Sequence, residues 1–370
     1  ISQIIGLQKK GYTVELFLNS NGERRSQLPH SLSIYLQPDL NKKLKLIFIL
    51  LGTLFFHPLV TLHFIKLERL SHRYWIKILK NIIINSHILG RQLDWVHFGF
   101  ATVALGRENL AKAIGARSAV SFRGYDISLY SHQHPGCYNI LWEKIDKVHT
   151  ISDDLYKQGI DLGLNLDIPM QKITPAVDVT KFKAPIRKNL HEPLRILSVG
   201  RLTWKKGYEY ALKALRLLKD KEINFEYHII GEGEYREAII YAIHQLKLTE
   251  YVILKGQLSH NEVIKQMEWA DIYIQPSIQE GFCNAVLEAQ AMGLLCIVTN
   301  AEGLGENILD GETGWVIPKR SPKKIANKII ELISLRNIDV VSIRQSAIDR
   351  VQNEFNIKKQ EEHFNDFYKN

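Results

Sequence analysis

The chain has 370 residues, 45% of them hydrophobic and 24% charged, which supports a large buried core, argues against wholesale disorder and predicts two domains. Three cysteines (Cys137, Cys283 and Cys296) are odd in number and lack C-x-x-C spacing, so neither a disulfide framework nor a cysteine zinc site is expected and a reducing compartment is the simplest reading. The net charge of +9 is uneven: residues 1–190 hold 25 Lys+Arg against 14 Asp+Glu, and residues 191–370 hold 23 against 25. A basic first half predicts an anionic partner such as a membrane surface, a phosphorylated lipid or nucleic acid, with ordinary solubility charge as the alternative.

In chain order, the first residues read as a helix, a Gly stop and a strand over Tyr12–Leu18. Because the chain starts on Ile and on a helix, with no signal peptide, a preceding strand and loop are expected to be missing. Residues 46–65 contain no Lys, Arg, Asp or Glu, long enough for a bilayer. Gly52, His57, Pro58 and His63 interrupt that run, and basic residues flank it, so a helix pair packed in the core or resting on a membrane surface is favoured over a span. The basic and apolar run over residues 73–84 reads as an amphipathic helix, suited to membrane contact or to the core. Strands at Trp95–Phe98 and Ala119–Phe122 flank a helix at Ala101–Ile114, and residues 147–152 form a further strand. A polar stretch with two prolines at 183–193 marks a domain boundary.

Beyond it, apolar runs at 194–200, 227–230, 252–256, 271–276 and 294–299 alternate with helical patterns at 207–220, 236–246, 261–269 and 284–292. Such alternation predicts a parallel sheet with helices on both faces. The expected architecture is α/β, with two doubly wound domains at 1–187 and 188–349 facing a cleft. The charged helices at 324–335 and 342–368 close the chain, and the part from about 350 to 370 is expected to cross back onto the first domain.

The densest chemical signal is Glu280 and Glu288, eight residues apart at the mouth of a helix and roughly 12 Å along it by helical rise. Backbone amides of Gly281, Phe282, Cys283 and Asn284 would face outward at that helix start, where an anion is favoured. A ligand with hydroxyls at both ends and phosphates between, such as a nucleotide-sugar, fits this spacing. Arg201 and Lys206 follow a predicted strand end, and a planar fork with a point charge suits a diphosphate. The G-E-G at 231–233 lacks the third glycine of a dinucleotide fingerprint and reads as a strand-to-helix turn. No P-loop, Asp-x-Asp pair or His cluster with metal spacing occurs, so no metal is expected, and cations with helix-terminal amides would carry the leaving-group charge.

Five segments keep a common order and spacing: V-G-R-L-T-W-K-K-G (199–207), I-I-G-E-G (229–233), V-I-L-K-G (252–256), Glu280-x7-Glu288, and N-A-E-G-L-G-E-N-I-L-D-G-E-T-G-W-V-I-P (300–318). In them the second half resembles the donor domain of retaining glycosyltransferases of the GT-B fold, family 4. Through D-W-V-H-F-G-F (94–100), S-F-R-G-Y-D (121–126) and T-P-A-V-D-V-T-K-F (174–182), the first half more loosely resembles the acceptor domain of the exopolysaccharide, colanic-acid-type branch. The resemblance implies that Arg201 and Lys206 hold the donor diphosphate beside Gly200. It implies that Glu280 contacts the transferred sugar, Glu288 the ribose, and Gly281 to Asn284 the sugar and phosphate. His97 would be a catalytic group on the acceptor side. Arg123 stands where many relatives have His; an arginine is no base at neutral pH, so Arg123 and Asp126 become possible phosphate or acceptor contacts. The family's glycine-rich loop after the first strand would precede this chain, which implies less than full activity.

The implied reaction moves a sugar from a nucleoside-diphosphate sugar to a hydroxyl of a lipid-linked oligosaccharide, with retention and without metal or cofactor. The implied location is cytoplasmic, on the inner face of the plasma membrane, with an anionic membrane surface but no nucleic acid as partner. The alternatives are a nucleotide-sugar epimerase or sugar phosphorylase on the same fold, or a non-catalytic basic membrane-binding scaffold.

Overall fold

A computed structural model describes residues 2–19, 32–41 and 43–369. Residues 1, 20–31, 42 and 370 fall within the expected domains and lie outside the described residues. The chain divides into two compact units, residues 1–173 with 361–370, and residues 174–360. The expected boundary at 187/188 therefore moves back to 173/174. Hydrogen bonds explain the shift: Val177 N donates to Phe355 O (2.8 Å), Gln360 Nε2 donates to Thr174 O (2.8 Å), and Arg187 Nη1 reaches Trp269 O (3.3 Å). The T-P-A-V-D-V-T-K-F segment, assigned from sequence to the acceptor half, thus belongs to the second unit.

In the first unit, β1 (Glu15–Leu18) and β2 (Ser33–Leu36) pair in parallel. A separate four-stranded parallel sheet holds β3 (Trp95–Phe98), β4 (Arg117–Phe122), β5 (Lys147–Thr150) and β6 (Met170–Lys172) in sequence order. Residues 46–65 fall in two helices, Lys43–Phe56 and Pro58–Leu70, bent by 109° at His57. Pro58 sits at the first position of the second helix, where its missing N–H costs nothing. No helix among the described residues is long and apolar enough to cross a membrane alone. The single helix expected at Ala101–Ile114 is two short ones, Ala101–Ala104 and Leu110–Ile114. The last helix, Ile357–Lys369, returns to this unit, where Phe364 and Phe367 are buried with Ala119 and Ile173 against Trp95.

The second unit holds six parallel strands: β7 (Leu194–Val199), β8 (Phe225–Ile230), β9 (Val252–Gly256), β10 (Ile272–Gln275), β11 (Leu295–Thr299) and β12 (Trp315–Ile317). Their spatial order is β12-β11-β10-β7-β8-β9. Every residue of β10 and β11 is buried, as expected for strands covered on both faces. Helix Tyr208–Lys219 turns Ala211, Leu212, Leu215 and Leu218 into the core. Helix His260–Trp269 starts at a capping box in which Ser259 and Glu262 satisfy each other's backbone amides. Order reverses between β7 and β10, because the chain winds outward from β7 in both directions. In such sheets ligands bind outside the carboxyl ends of the strands at the reversal.

Candidate active site

The carboxyl ends of β7 and β10 lead into the two segments singled out from sequence, residues 200–207 and 276–283. Gly207 makes their approach possible. It adopts φ +62°, and a Cβ there would lie 2.3 Å from Pro276 O. Ile278 N donates to Lys205 O (2.8 Å), tying the loops together. Lys206 Nζ consequently meets Glu280 Oε2 at 2.5 Å, with both side chains largely buried. Burial works to lower the Lys206 pKa, but Glu280 outweighs it and holds the ammonium above its usual value. Lys206 is therefore charged and already braced by Glu280, a contact that the spacing of the two residues did not announce.

Arg201 is exposed on the same loop, and its guanidinium takes no hydrogen bond or ion pair among the described residues. Its charge bears on both Lys205 and Lys206, so three cations cluster here. Gly200 O accepts from Tyr208 Oη (3.0 Å), which pins the turn after β7. The neighbouring G-E-G has a packing cause: a Cβ on Gly231 (φ +140°) would fall 2.0 Å from Gly200 O. That glycine lets the turn after β8 lie against the turn after β7.

Helix Asn284–Ala291 presents the other carboxylate. Glu288 is half-buried, makes no hydrogen bond or ion pair among the described residues, and is pushed up to about 7 by burial alone. Such a carboxyl both donates and accepts near neutrality, which suits a pair of hydroxyls. At the helix start the four amides are not equivalent. The Cys283 N–H donates to Asn307 Oδ1 (3.1 Å) while Asn307 Nδ2 donates to Cys283 O (3.0 Å). The Cys283 amide is thus already used, which corrects the expectation that all four face a ligand. Phe282 is buried beside Phe355 (ring centroids 5.9 Å), Gly281 is buried, and Asn284 is exposed. Burial pushes the Cys283 thiol up to about 11, so it is no nucleophile.

The acceptor-side candidates lie in the first unit. His149 Nε2 contacts Ile173 O (3.0 Å), a carbonyl that only accepts, so this nitrogen carries the proton. The tautomers follow: Ser121 Oγ donates to His149 Nδ1 (2.7 Å), His97 Nε2 donates to Ser121 Oγ (2.8 Å), and Tyr368 Oη donates to His97 Nδ1. Burial, then the charge of Arg123, lowers the His97 pKa to about 3. His97 is neutral with both ring nitrogens committed to the interior. Asp126 is fully buried and accepts from Ala101 N (3.0 Å) and Arg123 N (3.1 Å), so it organises the turns after β3 and β4 and is not an acceptor contact. The half-buried Arg123 guanidinium takes no hydrogen bond among the described residues.

Residues 180–350 match the model of the family described as Glycosyl transferases group 1. In that stretch the chain is similar to group 1 glycosyltransferases. It is 32% identical over 272 residues to the amylovoran biosynthesis glycosyltransferase AmsK of Erwinia amylovora, covering 70% of this chain and 66% of that protein. It is 30% identical over 276 residues to the putative colanic acid biosynthesis glycosyltransferase WcaL of Escherichia coli K12, with the same coverage. The match thus spans just under two thirds of the length of these relatives. Among solved structures, Anabaena Alr3699/HepE in complex with UDP superposes with a TM-score of 0.73 at 14% identity, over 99% of this chain and 95% of that one. A glycosyltransferase from Rickettsia africae gives 0.73 at 20% identity, over 100% and 93%. These likenesses show the GT-B fold of two Rossmann-like domains.

In the second unit, sequence reasoning located both loops and the Glu288 helix but missed their braces. Asn307 is fully buried; besides clasping Cys283, its carbonyl accepts from Gln290 Nε2 (2.9 Å) and Arg350 Nη1 (2.8 Å). An Asn inside a Gly-rich loop carries no periodic signal, and its partner lies 24 residues away. Lys205 was legible as the first of two adjacent lysines and was passed over.

Proposed function

We propose that the protein transfers a sugar from a nucleoside-diphosphate sugar to a hydroxyl of a lipid-linked oligosaccharide during exopolysaccharide assembly. Retention of configuration, independence from metal and a peripheral location at the inner membrane face belong to the same reading. The observation that carries it is the Lys206–Glu280 pair, seated where strand order reverses in a group 1 domain. Arg201 and Lys206 would neutralise the departing diphosphate, Glu280 would aim Lys206 and contact the sugar, and Glu288 would take the ribose hydroxyls. Arg123 would meet an anionic group of the acceptor. Exopolysaccharide names among the relatives support the polymer, and the UDP held by a protein of the same fold supports the donor class.

Electrostatic stabilisation of a leaving group by a placed donor is worth about 10²–10³ in rate. Arg201→Ala is expected to lower kcat/KM for sugar transfer by about that factor with the fold intact. Near-normal turnover would sink the assignment.

A further inference from the structure

Between Leu40 and Leu93 the sequence holds one acidic residue, Glu68. It is fully buried and accepts from Arg73 (2.6 Å), Asn81 (2.6 Å) and Asn109 (2.7 Å). The surface of this segment therefore carries no carboxylate, while Lys45, Lys66, Arg69, Lys77 and Lys80 are all exposed. Among the described residues, fourteen of the 24 exposed large hydrophobic residues fall in the same segment. They are not scattered. Leu44, Ile47, Phe48, Leu51 and Phe55 recur at helical spacing along one face of helix Lys43–Phe56, and that face points to solvent. Leu59, Leu62 and Leu70 do the same on helix Pro58–Leu70, with Lys66 in their row. Trp75 and Ile76 open helix Trp75–Leu89, where Trp75 lies under the Arg69 guanidinium at 5.2 Å.

We infer that this face is a docking surface for an anionic lipid bilayer, entered by the apolar rows and steered by the lysines. Contiguous apolar patches of this kind mark binding sites, and charge decides the occupant. A second copy would set like charges against each other, whereas anionic headgroups match a rim without carboxylates. Neither helix is long enough to span alone. Each of the first two helices, 14 and 13 residues long, reaches about 20 Å of the roughly 30 Å hydrocarbon core, and they diverge by 109°. They lie in the interface with their outer rows buried. This surface supplies the means for the peripheral location proposed above, but vesicle binding and sugar transfer are read separately, so either can fail without the other.

The test is flotation of the full chain with neutral phosphatidylcholine vesicles and with vesicles one third phosphatidylglycerol, at low and high salt. Binding to the anionic vesicles is expected, weakened by salt. Phe48→Ser/Phe55→Ser/Phe56→Ser should reduce it at least about tenfold with an unchanged melting temperature, because these side chains are already in solvent. Lys45→Glu/Lys66→Glu/Lys77→Glu should abolish the preference for anionic over neutral vesicles. No binding by the unaltered chain at low salt would overturn the inference, as would full binding by the Phe variant. A dimer in sedimentation that the Phe variant converts to monomer would also overturn it, by showing that a second copy covers the face.

Discussion

Glu288 is the residue at which burial and chemistry meet most directly. Its folded-state pKa of about 7 lies above the ordinary 4.5, so protonation favours the folded protein. That stabilisation is complete below about pH 4.5 and is lost as pH rises through about 7, above which the buried charge is a standing cost. Glu288→Gln is therefore expected to stabilise the ligand-free protein by about 1–3 kcal/mol at about pH 8 and to change little near pH 4. Melting curves across pH decide this, and a gain that grows toward acid would refute it. The same substitution should weaken nucleotide-sugar binding, since the amide offers one accepting oxygen where the carboxylate offers two. Lys206 behaves in the opposite sense. Glu280 holds the Lys206 ammonium above its usual value, so Lys206 stays charged where Glu288 titrates.

At the scale of elements, the site rests on turns between strands and helices. Residue type announced these turns: Gly207, Gly231 and the run from Gly281 to Asn284 each stood at a predicted strand-to-helix junction. Their braces were silent. Asn307 clasps both backbone groups of Cys283 from a loop that offers no hydrophobic pattern. Asn307→Ala would leave the buried Cys283 N–H unpaired, at a cost of about 1–3 kcal/mol before relaxation, while the Cys283 carbonyl keeps its bond from Leu287 N. We expect a lower melting temperature and faster hydrogen exchange at Cys283, with the β7–β10 core still protected. Unchanged exchange there would show that the clasp is not what orders the helix start. The first unit repeats the lesson. His97 was legible as a histidine at a strand end, but its hydrogen-bonded line through Ser121 and His149 depends on three neighbouring strands that spacing cannot align.

At the scale of the whole molecule, the chain enters the second unit at residue 174 and comes back at 361. The return is structural: Phe367 is fully buried, and its carbonyl accepts from Lys147 Nζ (2.7 Å). Phe367→Ala should cost about 3–5 kcal/mol through the cavity it leaves. The loss should fall on the first unit, so calorimetry is expected to show an early transition for that unit while the second unit melts as before. A single transition shifted as a whole would argue that the two units melt together.

By itself the sequence determined the α/β alternation, the number and order of strands β7 to β11, and the two loops that hold Arg201, Lys206 and Glu280. Periodicity and glycine placement are local properties, and neighbouring residues suffice to express them. Tertiary structure alone decided that Lys206 and Glu280, 74 residues apart, form one ion pair, because only the sheet's strand order sets β7 beside β10. It likewise decided that His97 is hydrogen-bonded at both ring nitrogens and that Asp126 is buried on backbone amides, that the unit boundary falls at 173/174, and that the apolar rows of residues 44–62 face outward. Whether a charge is free, paired or buried depends on what the fold brings to it from elsewhere in the chain.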